Sequence, residues 1–426
     1  MSGPAGATPH ASSRAAVLDV IRAAGTISRV GLVKATGFTG ATISTVVRRL
    51  IDDGLVVETG HAESTGGKRR VLLQLNLTSR YAVGVHLDHD GITYVLTDLG
   101  GSVVARMSRA GVGVEDPRAV VERMATESAA LIEGAGVERS RVLGLGLVAP
   151  GPLNQAHGLR LLRPAIRHWG DFAMGPELER ATGLPVVLDN DATAAALGEH
   201  WSGQAGGGAF AALYMGTGIG AGLMLGGVAY RGPSGNAGEI GHIPLAADGP
   251  ECWCGARGCT EVLAGPGAVV EAARADAVLA RSAGLTGGGR GRRTADFAAV
   301  TRAAHRGDPG ARALLERSAR YLALAARTLA NIVDLDELVL TGPGLAIAGS
   351  IYLPVVREEL ERSFFSRASH PVAVRLSRVA ATAPAIGAAA MMLQSELVPL
   401  REGMRLPENL AAAAEPDPPA RVSTRP

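Results

Sequence analysis

Apolar residues recur with helical spacing through the first 80 positions, and the spacing breaks at glycine. Over 14–24, Val17, Leu18, Val20 and Ile21 supply the apolar positions of a short amphipathic helix that Gly25 ends. Ser28 is placed to cap a second helix running to about Thr36, with Gly37 as its stop. Thr39 is placed to cap a third, which runs to Asp53 and is closed by Gly54. In this third helix Ile43, Val46, Val47 and Leu50 follow the i, i+3, i+4, i+7 spacing of a buried face. The opposite face carries Thr42, Ser44, Thr45, Arg48 and Arg49, small polar groups and cations. Two β-rich runs then flank a turn in "LVVETGHAESTGGKRRVLLQLN", with Lys68, Arg69 and Arg70 at its tip. Three helices followed by a basic-tipped hairpin predict a winged helix-turn-helix over 13–78, whose exposed polar face and wing would contact DNA, after a flexible lead-in over 1–12. The alternative is a generic helical bundle with a solvated charged loop.

From about residue 80 the pattern changes to short Val/Leu-rich strands, glycine turns and Ala-rich helices, the alternation of an α/β body expected over 79–402. Two stretches echo each other. "YAVGVHLDHDGITYVLTDLGGSVV" and "FAALYMGTGIGAGLMLGGVAYRG" each read strand, tight turn, strand, turn, strand. Duplicated hairpins of this kind build the two facing lobes of actin-like nucleotide-binding folds. A long Ala-rich helical region follows Gly265, interrupted by the basic loop "GLTGGGRGRR". The Pro-rich, charged stretch over 403–426 is expected to be disordered.

Composition sharpens this picture at three points. A chain of 426 residues, 47% of them hydrophobic, suits two or three domains rather than one core. The net charge is +2, but residues 1–80 hold ten Lys/Arg against five Asp/Glu, so the remainder nets −3. A basic head on a mildly acidic body suggests that the head meets a polyanion. No run of about 18 apolar residues exists, and "MSGPAGATPHASSR" lacks the charged start and apolar stretch of a signal peptide. A cytoplasmic protein with no membrane partner is expected, in a compartment that keeps thiols reduced.

All three cysteines lie in "CWCGARGC", as Cys252, Cys254 and Cys259, with Gly255 and Gly258 between them to let the loop fold tightly. Structural zinc takes four nitrogen or sulfur ligands, and His242, ten residues upstream, supplies the fourth of a closed Cys3His site. Buried apolar thiols and a catalytic cysteine are the alternatives.

"GNAGEIGHIPL" followed by "CWCGARGCTE" resembles the signature of the ROK family, whose name joins repressors, uncharacterised frames and sugar kinases. The resemblance covers essentially the whole chain. "GLGLVAPGPL" is similar to the family's interlobe strand and turn, "LPVVLDNDATAAALGE" to its catalytic segment, "MGTGIGAGL" to its second phosphate loop and "VLTGPG" to its adenosine-side turn. A winged helix at the N-terminus marks the repressor branch. The resemblance implies that Asn190 and Asp191 contact sugar hydroxyls, Asp191 standing where a kinase keeps its base. It implies that Glu239 and Glu261 bind further hydroxyls, and that His242 holds sugar with one ring nitrogen and zinc with the other. Each carboxylate could instead be an ordinary surface acid.

The chain departs from the family pattern where kinases hold nucleotide. Their first lobe opens on an Asp-x-Gly-Gly turn; here the stretch is "GVHLDHDG", so His86 replaces the Asp while Asp88 and His89 replace the glycines. Side chains fill the phosphate space, and Asp88 and Asp90 bring like charge to it. Ala165 stands where sugar-binding relatives carry Asn, and Thr193 replaces a common Asn. The resemblance and its departures together imply a sugar-responsive transcriptional regulator, a repressor acting as a homodimer or higher homo-oligomer on operator DNA. Zinc is expected to be structural, ATP to be unbound, and Asp191 to be a vestigial base. Two rivals remain: an ATP-dependent sugar kinase with a DNA-binding head, and a DNA-binding protein whose sugar pocket is vestigial.

Overall fold

A computed structural model describes residues 9–61, 70–112, 116–152, 169, 172–203, 208–285 and 293–396. The chain divides into two compact units, with the change between Ser79 and Arg80.

The smaller unit contains α1 (Pro9–Ala24), β1 (Ile27–Ser28), α2 (Arg29–Thr36), α3 (Gly40–Asp52), β2 (Val56–His61) and β3 (Val71–Leu75). Local chemistry sets the helix ends. The Ser28 side chain accepts from the Gly31 N–H, the Thr39 side chain accepts from the Thr42 N–H, and Gly37 ends α2 in the left-handed region. Leu18, Ile21, Leu32, Ile43, Val47 and Leu50 are fully buried where the three helices meet. The axes of α2 and α3 turn through 118°, a helix-turn-helix crossing. β2 and β3 form the antiparallel hairpin, and β1 adds a third strand in the order β1-β3-β2. The unit is a winged helix-turn-helix.

Two details differ from the sequence expectation. α1 begins at Pro9, within the stretch 1–12 expected as a lead-in; proline suits a first helical turn because its missing N–H would have no partner there. β1 pairs Ile27 with Leu73 and Ser28 with Leu72, and two residues are too few to show strand alternation. Lys68 and Arg69 lie outside the described residues, and so do Ala165, most of the basic loop and the stretch over 403–426.

The larger unit holds two five-stranded sheets. The first consists of β4 (Tyr81–Leu87), β5 (Gly91–Asp98), β6 (Val103–Ala110), β7 (Val142–Ala149) and β8 (Val186–Asn190), in the order β6-β5-β4-β7-β8. The second consists of β9 (Phe210–Met215), β10 (Ile219–Leu225), β11 (Val228–Tyr230), β12 (Glu337–Thr341) and β13 (Ala373–Leu376), in the order β11-β10-β9-β12-β13. Each begins with an antiparallel meander and continues with two parallel strands. The sequence echo is thus a duplicated sheet, the two-lobed plan of an actin-like sugar kinase.

Helices α4 (Pro117–Gly134) and α5 (Met174–Thr182) cover the first sheet, over a core that includes Val83, Val85, Met124, Leu145 and Trp169. On the second, α7 (Thr260–Ala264), α8 (Pro266–Ala275), α9 (Ala277–Ser282), α10 (Arg293–His305), α11 (Pro309–Val333) and α12 (Pro343–Ser363) enclose Phe297, Leu322 and Tyr352. Between the sheets run α6 (Asp191–Trp201) and α13 (Ala383–Glu396). Small residues let these layers approach: a Cβ on Gly146 of β7 would sit 1.9 Å from the Ala388 carbonyl oxygen of α13, and one on Gly222 of β10 would sit 2.1 Å from that of Ala192 in α6. The stacking places the N-terminus of α6 between the lobes. No single described helix is long and apolar enough to cross a membrane.

Candidate functional site

β8 ends at Asn190 and α6 begins at Asp191, so strand and helix meet at two polar residues. Asn190 caps the helix, its Oδ1 accepting from the N–H groups of Ala192 at 2.8 Å and Thr193 at 3.0 Å. That leaves its amide nitrogen to turn toward Gly151, where an added Cβ would lie 3.1 Å from Asn190 Nδ2 and 2.8 Å from Glu239 Oε1. Asp191 is buried, with one carboxylate oxygen on the Ala192 N–H at 2.8 Å. The positive end of α6 suits that charge. Pro150, Gly151, Asn190, Asp191, Tyr214 and Glu239 line one cavity with the β9–β10 turn. Its acceptors and donors converge as hydroxyl recognition requires.

Glu261 and His242 are not among the residues lining that cavity. Glu261, in the first turn of α7, accepts from Trp253 Nε1 at 3.0 Å and from the Ile219 N–H at 3.2 Å. It ties the cysteine loop to the start of β10. Trp253 also stands edge-on to the His242 ring, centroids 4.8 Å apart. Sequence reasoning passed over Trp253, although it lies between two of the cysteines. It also passed over Asp189, a buried acid beside Asn190 whose carboxylate pairs with Arg231 at 2.7 Å.

The β4–β5 turn is filled. His86, buried, lies with Nε2 3.6 Å from Asp191 Oδ2 and 3.4 Å from the Tyr214 hydroxyl. Asp88 Oδ1 accepts from the His89 N–H at 2.7 Å and from Thr217 Oγ1 at 2.9 Å, which joins the turns of the two sheets. Burial pushes the Asp88 carboxyl above the usual range; the nearby Asp191 raises it further, and His86 opposes the shift. Asp90 Oδ2 accepts from both the N–H and the hydroxyl of Thr294 in α10, at 2.8 and 3.0 Å. His89, part-exposed, pairs with Asp90 at 3.1 Å. The β9–β10 turn keeps glycine on both sides of Thr217.

The donor atoms of His242, Cys252, Cys254 and Cys259 all lie within 4.8 Å of one another. Cys254 Sγ is 3.7 Å from Cys259 Sγ, and Cys252 Sγ is 3.5 Å from His242 Nδ1. Zinc–thiolate bonds of about 2.3 Å in a tetrahedron set the sulfurs about 3.8 Å apart, so the residues fit a metal ion. The backbone N–H of Ala256 holds the Cys254 thiol below its usual range, whereas burial pushes Cys252 up and Cys259 up to about 12. Bound metal would keep all three as thiolates.

On the smaller unit, Ser44, Thr45, Arg48 and Arg49 are exposed along α3 and Thr42 is half-buried, with Arg70 exposed at the end of the hairpin loop. The α3 residues lie on the side of the helix away from its buried Ile43, Val46, Val47 and Leu50.

The ROK family profile matches residues 82–395. The chain belongs to the ROK family. Among its ROK relatives, a xylose repressor of Caldicellulosiruptor bescii is 28% identical over 381 residues, which is 87% of this chain and 92% of the relative. The crystal structure of a ROK family transcriptional regulator, homologous to the E. coli MLC protein, superposes with a TM-score of 0.72 at 27% identity, covering 91% of this chain and 97% of that one. A ROK glucokinase from Streptomyces griseus, solved with glucose and AMPPNP, gives a TM-score of 0.60 at 28% identity, covering 73% of this chain and 98% of the glucokinase. The regulator is matched over a larger share of the chain than the glucokinase.

Proposed function

We propose that the protein is a sugar-responsive transcriptional repressor of the cytoplasm. Its head, over 13–78, binds operator DNA through Thr42, Ser44, Thr45, Arg48 and Arg49 of α3 and through Lys68, Arg69 and Arg70 of the wing. Its body, over 79–402, takes a sugar at Asn190, Asp191 and Glu239, and His242 and Glu261, which lie outside the cavity those three line, join the site when the lobes close around the sugar. Zinc on His242, Cys252, Cys254 and Cys259 is structural, supplying a rigid hub for that loop. A homodimer or higher homo-oligomer pairs two heads with a two-fold operator.

The observation that carries this reading is the filled β4–β5 turn beside a cavity on which the polar side chains of Asn190, Asp191 and Glu239 converge. Recognition needs acceptors and donors around a ring, and Asn190, Asp191 and Glu239 supply them. Phosphoryl transfer also needs a nucleotide laid against open backbone N–H groups, and His86 and Asp88 stand in the stretch that the family resemblance assigns to that turn, with Asp88 already on the His89 N–H. Sugar that binds one arrangement of the lobes better than the other shifts the heads relative to their half-sites. A coupling of about 1–3 kcal/mol is typical of such switches.

The test has two arms. DNA fragments selected by the protein from genomic DNA are titrated by fluorescence anisotropy with and without a panel of sugars, and a coupled assay follows ATP turnover with the same panel. Release of DNA by one sugar class, with no turnover, is expected. Sugar-dependent ATP turnover that Asp191→Asn abolishes would replace this reading by the second one, a sugar kinase with a DNA-binding head. The glucokinase likeness and the open glycines around Thr217 favour that second reading.

A further inference from the structure

A phosphate group in a kinase-like fold is held by backbone N–H groups and hydroxyls of two glycine turns. In this chain two such donors already have an acceptor. The Asp88 carboxylate oxygen takes both the N–H of His89 and the hydroxyl of Thr217. Asp88 therefore sits as an internal substitute for phosphate between the two turns. Two residues before it on the chain, His86 fills the neighbouring space, with Nε2 3.6 Å from Asp191 and 3.4 Å from the Tyr214 hydroxyl.

The plug is held from several sides. Asp90, two residues on, is fixed by two bonds to Thr294 across the lobes, so the turn does not swing away without breaking them. The charges around it are unfavourable to a second anion. The Asp88 and Asp191 carboxyls lie near each other with His86 beside both, and the Asp90 carboxyl, held by Thr294, pairs with His89. The nearby guanidinium of Arg231 is paired with buried Asp189.

We infer that the plugged turn makes the effector site selective for free sugars, and that it rejects the same sugars when the hydroxyl facing Asp191 carries a phosphate ester. This rests on the sugar-responsive reading above and adds the class of ligand to it. A phosphate on that hydroxyl would enter space occupied by Asp88 and His86, meet donors already satisfied, and add a charge of the wrong sign. A free hydroxyl needs none of that space and is received by Asp191.

Matched pairs test this on the full chain by calorimetric titration: glucose and glucose 6-phosphate, N-acetylglucosamine and its 6-phosphate, mannose and mannose 6-phosphate. For any sugar that binds, the ester is expected to bind about a hundredfold more weakly or not at all. The double variant Asp88→Gly, His89→Gly frees the donors and should narrow that gap about tenfold or more. An ester that binds the unmodified protein as tightly as its free sugar, or more tightly, overturns the inference and leaves a sugar-regulated protein standing. No binding by either member of any pair overturns both. An unchanged gap in a folded double variant overturns the assignment of the selectivity to Asp88. If that variant does not fold, the pairs measured on the unmodified protein decide alone.

Discussion

The β4–β5 turn and the β9–β10 turn occupy equivalent places in the two duplicated sheets, and their chemistry is opposite. In the first, Asp88 is buried with its carboxylate bonded to its neighbour's N–H, and Asp90 reaches Thr294. In the second, Gly216 and Gly218 close on each other through a 3.0 Å backbone bond and leave Thr217 to reach Asp88. The sheets that carry them have the same strand order. Duplication supplied the scaffold twice, and the two turns carry different residues without a change of fold. The physical reason is that the cores lie elsewhere: Val83, Val85, Leu145 and Leu147 hold the first sheet, Leu213, Leu338 and Leu340 the second. A turn at the strand ends is free to change.

Four changes break or sharpen this contrast. The largest effect is expected from Cys259→Ser, which removes a fully buried thiol from the His/Cys cluster next to α7. Glu261 follows it and braces the second turn through Ile219, so metal content should fall by elemental analysis and the melting temperature by about 10 °C. A protein that lacks metal yet melts unchanged would detach the second turn from the cysteine loop. Thr217→Val acts next: it keeps the shape but leaves buried Asp88 with one donor fewer, at a cost of about 2 kcal/mol in urea unfolding. A loss under about 0.5 kcal/mol would mean that the two turns are not coupled.

Asp88→Asn should do the reverse and stabilise, by about 1 kcal/mol at neutral pH, because it removes the cost of burying a charge while keeping an acceptor for Thr217. The sign follows from the raised carboxyl. The folded chain takes up a proton at higher pH than the unfolded one, so the native protein gains stability as pH falls toward the ordinary Asp range and loses it as pH rises through the folded value. The advantage of Asn should therefore vanish in acid, which melting curves from neutral to acid pH would check. The smallest effect belongs to His89→Ala. Its pair with Asp90 is part-exposed and Thr294 keeps Asp90 in place, so stability should move by no more than about 0.5 kcal/mol in the same urea assay.

The sequence was most readable where the interaction is short-range. Ser28, Gly37 and Thr39 mark helix ends because a cap joins residues two to four apart. The convergence of His242 with the three cysteines was also readable, since Gly255 and Gly258 take the positive φ that folds the loop back. The identity of the residues filling the first turn was visible, but their partners were not. Thr217 lies 129 positions from Asp88, and Thr294 lies 204 positions from Asp90. Such pairs are chosen by how two sheets dock across α6 and α13, and no local pattern records that. The role of Glu261 was hidden for the same reason: its bonds to Trp253 and Ile219 come from two different segments.

The chain has three tryptophans, and Trp169 and Trp201 are buried at 1% and 5% exposure while Trp253 stands at 37%. Light emitted under an aqueous quencher is therefore dimmed at one ring and spared at the other two. That ring lies edge-on to the His242 imidazole and donates its indole N–H to the carboxylate that braces β10. The protein carries an optical gauge at its hub: the colour and quenching of a single native indole report, without any label, whether the loop that joins cysteines to pocket is intact.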